Sequence, residues 1–274
     1  MSDHPIKTIN PLTEQVLHTY AYMSDAEAAE TVKASHEAFL QWRLRSLEER
    51  AEVMTAIARK LEEKKEAFAQ LMTDEVGKLI GDSRSEVDLC VAICKYTAEQ
   101  GPKVLADEER PSANGIGIVT HQPIGVVYGI QPWNFPAYQA VRYSIASLMA
   151  GNGVLLKHAE SCTGSGLFLR DLYEEAGLPK GLFGVLLISH EQSDAIIDHD
   201  LVRAVTLTGS EKAGRTVAEK AGKALKKTML ELGSNDAYLV LDDADLELAV
   251  NTCVKGRLFN NGQTCVNAKR FIVT

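Results

Sequence analysis

At 274 residues the chain has room for one large domain or two, and its 45% hydrophobic and 24% charged content is that of a globular protein with a sizeable core. A formal net charge of -8 with no basic tract argues against a nucleic-acid partner and against an anionic membrane surface. No apolar run is long enough to span a bilayer, the first residues lack a signal-peptide core, and the 5 cysteines include no C-x-x-C pair; this points to a reducing, cytoplasmic compartment with no disulfide and no metal site.

Residues 6–22 mix Pro, Asn and Thr with short apolar runs and read as an extended opening segment. Ser24-Asp25-Ala26-Glu27 fits a capping box, which predicts a helix to about Arg43. Ser46-Leu47-Glu48-Glu49 repeats the signal. Behind it Leu47, Ala51, Met54, Ala58, Leu61, Phe68 and Met72 keep three-and-four spacing, so one long amphipathic helix is expected, ended by Gly77. A third helix over about Ser83–Gln100 places Cys90 and Cys94 on one face as core residues, and Gly101-Pro102 is expected to break it. Residues 105–114 look turn-like. Ile116–His121 and Gly125–Ile130 read as two strands joined at Pro123, an exposed hairpin able to pair with another subunit or an ordinary excursion of the sheet.

From residue 125 the pattern alternates. Strands are predicted at 125–130, 154–157, 184–188, 204–207 and 228–231, with helices near 138–150, 163–176, 191–198 and 210–223 between them. Short, apolar strands in repeated βα units imply an α/β fold with an open parallel sheet and helices on both faces. Such sheets bind ligands beyond the carboxyl ends of their strands, where Trp133, Asn134, Lys157, Gly209, Ser210 and Glu231 fall. A further strand (Ala237–Leu241) and a helix near Ala244–Leu258 lead to Phe259-Asn260-Asn261-Gly262-Gln263-Thr264-Cys265, a polar glycine turn that would present a thiol on a rigid support.

Each of these groups has a plainer alternative. Thr208–Gly214 opens a helix and suits a phosphate, but Arg215 stands where a P-loop needs its lysine, and an ordinary helix start fits as well. Asn134, in Pro132-Trp133-Asn134-Phe135-Pro136, is either an oxyanion donor or a turn residue. Lys157 and Glu160 either bind ribose hydroxyls or form a solvated pair. Glu231, at a glycine turn, is either a general base toward water or surface. Cys265 is a nucleophile or a packed thiol, and His158, with no evident partner, is not read as catalytic.

Taken in order and spacing, Pro132–Pro136, Lys157 with Glu160, Thr208-Gly209-Ser210, Glu231-Leu232-Gly233 and Gly262-Gln263-Thr264-Cys265 resemble the motifs of the NAD(P)-dependent aldehyde dehydrogenase superfamily along essentially the whole chain. The resemblance implies a Rossmann-like dinucleotide domain formed by 1–104 and 123–233, an oligomerisation hairpin at 105–122, and the beginning of an α/β catalytic domain at 234–274. It implies Cys265 as the nucleophile, the Asn134 amide and the Cys265 N–H as oxyanion donors, and Glu231 as the base for thioester hydrolysis. Trp133, Asn134, Lys157, Glu160, Gly209, Ser210 and the backbone at Leu232 would line the cofactor. Glu160 would repel a 2′-phosphate, which favours NAD over NADP. A homo-oligomer, dimer or tetramer, is expected for the full-length form.

Leu155–Ala159 and Asp242–Val250 are most similar to bacterial succinate-semialdehyde dehydrogenases, and Arg142 occupies the place of an arginine that binds the substrate carboxylate in that group. Phe259 replaces a second such arginine, and Ser234 replaces a glycine after Glu-Leu-Gly, which would restrict the turn that aims Glu231. Members of the family continue past the point matching Thr274. The chain is therefore expected to carry an unpaired edge and an uncovered core, and a non-catalytic dinucleotide-binding fragment is the alternative to an aldehyde-oxidising enzyme.

Overall fold

The computed structural model describes residues 5–274. The opening segment folds back as an antiparallel pair, β1 (Ile6–Ile9) and β2 (Val16–Tyr20). The helix α1 (Asp25–Trp42) starts at the Ser24 capping box, with both reciprocal hydrogen bonds present, and the Ser46 box starts α2 (Leu47–Glu63) in the same way.

The expected long helix is two, because Lys64 (φ -99°, ψ 13°) leaves helical geometry and α3 (Lys65–Val76) begins after it. No glycine or proline marks the break. Lys64 pairs with Glu175 at 2.6 Å and lies over the Phe168 ring, a tertiary contact invisible to local spacing. Gly77, at φ 69°, ends α3 as expected; a Cβ there would sit 2.6 Å from Pro11. The expected break at Gly101-Pro102 is overturned: α4 (Ile80–Leu105) runs through both. Gly101 lets Met149 pack against the bare helix, since a Cβ there would meet Met149 Cγ at 2.5 Å. Pro102 lies in the last turns, where the missing donor and the carbonyl clash disturb little helix.

The hairpin also differs. β3 (Glu108–Ser112) pairs antiparallel with β4 (Gly115–Val119), so residues read as a turn form a strand. Its charged residues 108–110 are exposed and lack the apolar alternation that betrays a strand. β5 (Val126–Gln131) does not pair with β4. It is the centre of a five-stranded parallel sheet, hydrogen-bonded along both edges to β6 (Gly153–His158) and β8 (Val202–Thr208).

The sheet order is β7-β6-β5-β8-β9, with β7 (Phe183–Val185) and β9 (Lys227–Glu231) at the edges. Between these strands run α5 (Pro136–Met149), α6 (Thr163–Glu175), α7 (His190–Asp198) and α8 (Glu211–Lys223). Side chains of the central strands alternate between two apolar layers: Val154 and Leu156 face α2–α6, while Val126, Tyr128 and Leu155 face α1, α7 and α8. The chain reverses its direction of travel across the sheet between β5 and β8, which opens a crevice at their carboxyl ends. Cys90 and Cys94 are fully buried core residues, as read. Residues 237–273 form a separate βαβ unit of β10 (Ala237–Val240), α9 (Leu246–Leu258) and β11 (Arg270–Val273), with β10 and β11 parallel. No residue of α9 is buried, and Leu246, Leu248, Val254 and Leu258 stand exposed. No helix among the described residues is long and apolar enough to cross a membrane.

Candidate active site

The crevice is a cleft of about 320 Å³. Four separate segments reach it: Pro132-Trp133-Asn134 after β5, Thr208-Gly209 at the end of β8, Glu231-Leu232-Gly233 at the end of β9, and Gly262-Gln263-Thr264-Cys265 after α9. Strand ends deliver the first three because parallel strands leave the sheet together on one side.

Asn134 does not cap α5, whose N-cap is Phe135 without a side-chain bond. Its Nδ2 instead donates to the Gln263 carbonyl at 2.8 Å, two residues before Cys265. The second N–H of that amide remains for a ligand, and Asn134 Oδ1 has no partner among the described residues. The bond is returned by Asn260, whose Nδ2 donates to the Asn134 carbonyl at 2.9 Å. Asn260 and Asn261 lie at φ 52° and 57° and Gly262 at 73°, a left-handed run that asparagine tolerates better than other side chains. The Asn-Asn-Gly signature was therefore readable as a strained turn, but the role of Asn260 in tying it to Asn134 was not.

Glu231 ends β9 with its carbonyl accepting the Gly209 N–H at 2.9 Å, which aligns the two strand ends. Its carboxylate faces Arg142, with Nη1 to Oε1 at 3.6 Å. Ser234, where glycine was expected, does not sit idle: its hydroxyl lies 2.7 Å from the Cys265 carbonyl and also faces the Asp236 carboxylate, two acceptors for one proton. Lys269 Nζ donates to the same Cys265 carbonyl at 2.7 Å and to the Ser234 carbonyl at 2.9 Å. The nucleophile candidate is thus fixed to the Glu231 segment through its backbone while the thiol side stays half-buried in the cleft.

The cofactor candidates divide. Trp133, Gly209 and Leu232 line the cleft, with Leu232 packed over Gly214, where a Cβ would lie 2.7 Å from Leu232 Cδ2. Ser210 is the N-cap of α8, accepting the Ala213 N–H at 3.2 Å, as its plainer reading held. Lys157 lies in the last residues of β6, and its burial lowers the ammonium pKa. Glu160 is exposed beside it and receives the Tyr22 hydroxyl at 2.6 Å. Around the cleft Thr208 Oγ1 and Gln139 Oε1 are buried without a partner among the described residues. Orphaned polar atoms beside the amide of Asn134, with a glycine at the strand end, fit a polar planar ligand of the nicotinamide kind. Gln139 carried no sequence signal, since it is one residue of the amphipathic helix α5.

His158 is structural. Its Nδ1 accepts the Ala159 N–H at 3.0 Å, Nε2 donates to the Pro136 carbonyl at 2.9 Å, and burial depresses its pKa to about 4. Two buried glutamates that sequence reasoning did not single out hold helix starts. Glu75 accepts the Gly164 and Ser165 N–H groups of α6, at 2.8 and 2.9 Å, and Glu86 those of Ala137 and Tyr138 in α5, both at 2.8 Å.

Compared with known proteins, residues 1–274 match the aldehyde dehydrogenase family. The succinate-semialdehyde dehydrogenase [NADP(+)] of Deinococcus radiodurans is 41% identical over 271 residues, which are 99% of this chain and 57% of that protein. Succinate-semialdehyde dehydrogenase [NADP(+)] 1 of Mycobacterium tuberculosis is 41% identical over 98% of this chain and 60% of its own length. Among solved structures, the succinic semialdehyde dehydrogenase of Streptococcus pyogenes in complex with NADP+ superposes with a TM-score of 0.95 at 39% identity, over 98% of this chain and 59% of that one. The chain therefore spans under two thirds of the relatives it matches, and their names carry NADP rather than the NAD favoured from the charge of Glu160.

Proposed function

The chain belongs to the aldehyde dehydrogenase family, and from that premise we propose that it takes part in oxidising an aldehyde with a distal carboxylate, of the succinate semialdehyde kind, to the acid. Support comes above all from the convergence of Asn134, Glu231 and Cys265, from three segments, on one cleft.

In this reading the Cys265 sulfur adds to the aldehyde carbon, and the carbonyl π electrons move to oxygen. The free N–H of Asn134 and the backbone N–H of Cys265 receive that oxyanion; its partner N–H, held by Gln263, keeps the amide aimed. A bound nicotinamide dinucleotide would accept the hydride lost from that carbon as its carbonyl re-forms, which leaves a thioester on Cys265. Glu231 then takes a proton from water, whose oxygen adds to the resulting thioester carbon, and the Cys265 thiolate leaves as the acid forms. Arg142 holds the distal carboxylate.

Trp133, Lys157, Glu160, Gly209, Ser210 and Leu232 would hold the dinucleotide. NADP is the form to test first. The relatives' names point to it, and a 2′-phosphate near Glu160 would have the Lys157 ammonium close by, while the Tyr22 hydroxyl already occupies one acceptor site of the Glu160 carboxylate. The exposed Ile116 and Ile118 of the β3–β4 hairpin suit pairing between subunits.

The test is reduced-dinucleotide formation by the purified chain with succinic semialdehyde and NADP or NAD. Turnover that Cys265→Ala removes supports the reading. Binding of the dinucleotide without turnover would place this chain as a dinucleotide-binding fragment instead.

A further inference from the structure

Lys78 and Glu86 form an ion pair in which both side chains are 1% exposed. Neither lines the cleft, yet both touch the segments that do. Glu86 accepts the first-turn amides of α5 at Ala137 and Tyr138, directly after the turn that carries Asn134. That helix has no cap from its own N-cap residue, so α4 supplies one. The Lys78 ammonium lies 4.6 Å from the centre of the Phe135 ring, and that ring packs on Phe259 with centroids 6.1 Å apart. Next to Lys78, the Gly77 carbonyl accepts Asn261 Nδ2 at 3.3 Å. One short stretch, Gly77-Lys78, thus touches the turn before α5 and the left-handed turn before Cys265. Asn260 Nδ2 joins those two turns directly at the Asn134 carbonyl.

Stability alone does not call for this arrangement. Burying two charges costs several kcal/mol per ion, and apolar pairs of similar volume often replace them with no loss. What the pair supplies is direction: a carboxylate with fixed acceptor lobes and a cation held over one ring face. Site geometry tolerates only about 0.5 Å of error, so a scaffold that fixes both turns at once matters more to the site than to the fold.

We propose that the Lys78–Glu86 pair is a positioning device that sets the Asn134 turn and the Cys265 turn in register from behind the cleft. Its kinetic consequence rests on the roles proposed for Asn134 and Cys265; its structural consequence does not.

The test is the double variant Lys78→Met with Glu86→Gln, which removes both charges while keeping an oxygen acceptor for the α5 amides. The expected result is an unchanged unfolding midpoint. Amide hydrogen exchange should accelerate at least tenfold at 132–135 and 259–265 but not in the body of α4, and kcat should fall at least tenfold at constant KM. Wild-type exchange in both turns would overturn the proposal. If the wild-type chain shows no turnover, the functional reading fails by itself and exchange decides the positioning role. Should the double variant not fold, Phe135→Leu breaks the link from Lys78 to Phe259 with the ion pair intact. Faster exchange at 259–265 in that variant supports the device, and unaltered exchange sinks it.

Discussion

Arg142 Nη1 lies 3.6 Å from Glu231 Oε1, so the cation proposed to grip the substrate carboxylate faces the carboxylate proposed as base. The two side chains are 37% and 47% exposed, and such a pair stabilises by only about 0–1 kcal/mol. An incoming carboxylate can therefore take Arg142 and release Glu231. Arg142→Gln should lower kcat/KM for succinic semialdehyde roughly 10- to 100-fold, as expected for a lost charge-assisted bond of about 1.5–3 kcal/mol. An uncharged aldehyde of the same length should be nearly unaffected. Equal losses on both substrates would remove Arg142 from substrate recognition.

Cys265→Ala and Glu231→Gln should fail at different steps. The first abolishes reduced-dinucleotide formation and leaves dinucleotide binding intact. The second keeps a single-turnover burst and loses steady-state turnover by roughly 100-fold or more, the ordinary worth of a general base. Stopped-flow absorbance separates the two, and a missing burst in Glu231→Gln would place that residue before hydride transfer.

His158 makes stability depend on pH. Its folded pKa is depressed to about 4 from 6.5 by burial. Between those values the unfolded chain binds the proton and the folded chain does not, so stability is complete above about 6.5 and falls as pH drops toward 4. The loss should approach roughly 3 kcal/mol, at about 1.4 kcal/mol per pKa unit. Urea unfolding of wild type and His158→Gln across that range checks it; a variant with the same slope would assign the loss to other groups.

Gly129 lies on the central strand beneath Tyr143, whose hydroxyl donates to the Leu155 carbonyl at 3.0 Å. A Cβ at Gly129 would fall 2.2 Å from Tyr143 Cζ. Gly129→Ala should destabilise by about 1–3 kcal/mol by displacing that ring, read as a lower unfolding midpoint. Tyr143→Phe combined with it should recover the loss only in part, since the ring carbon Cζ at 2.2 Å obstructs as well as the hydroxyl at 2.5 Å.

What the sequence determined by itself is local in origin. The capping boxes at Ser24 and Ser46 need only four consecutive residues, and the apolar central strands β5, β6 and β8 declare a parallel sheet because both of their faces are largely buried. The motif turns follow, since strand ends gather on one side of such a sheet and bring Asn134 and Glu231 to one cleft, which the turn after α9 joins with Cys265. Tertiary structure decided the rest. Lys64 breaks a helix because Glu175 and Phe168 meet it, and Gly101-Pro102 fails to break one because Met149 fills the space a side chain would take. β4 pairs backward to β3 because β5 has both edges occupied in the sheet. Glu75 and Glu86 cap helices distant in sequence, and Ser234 reaches the Cys265 carbonyl. Each of these depends on a partner far along the chain. Propensity and spacing report on a turn or two of backbone, whereas packing and buried hydrogen bonding choose among partners that only the folded chain brings together.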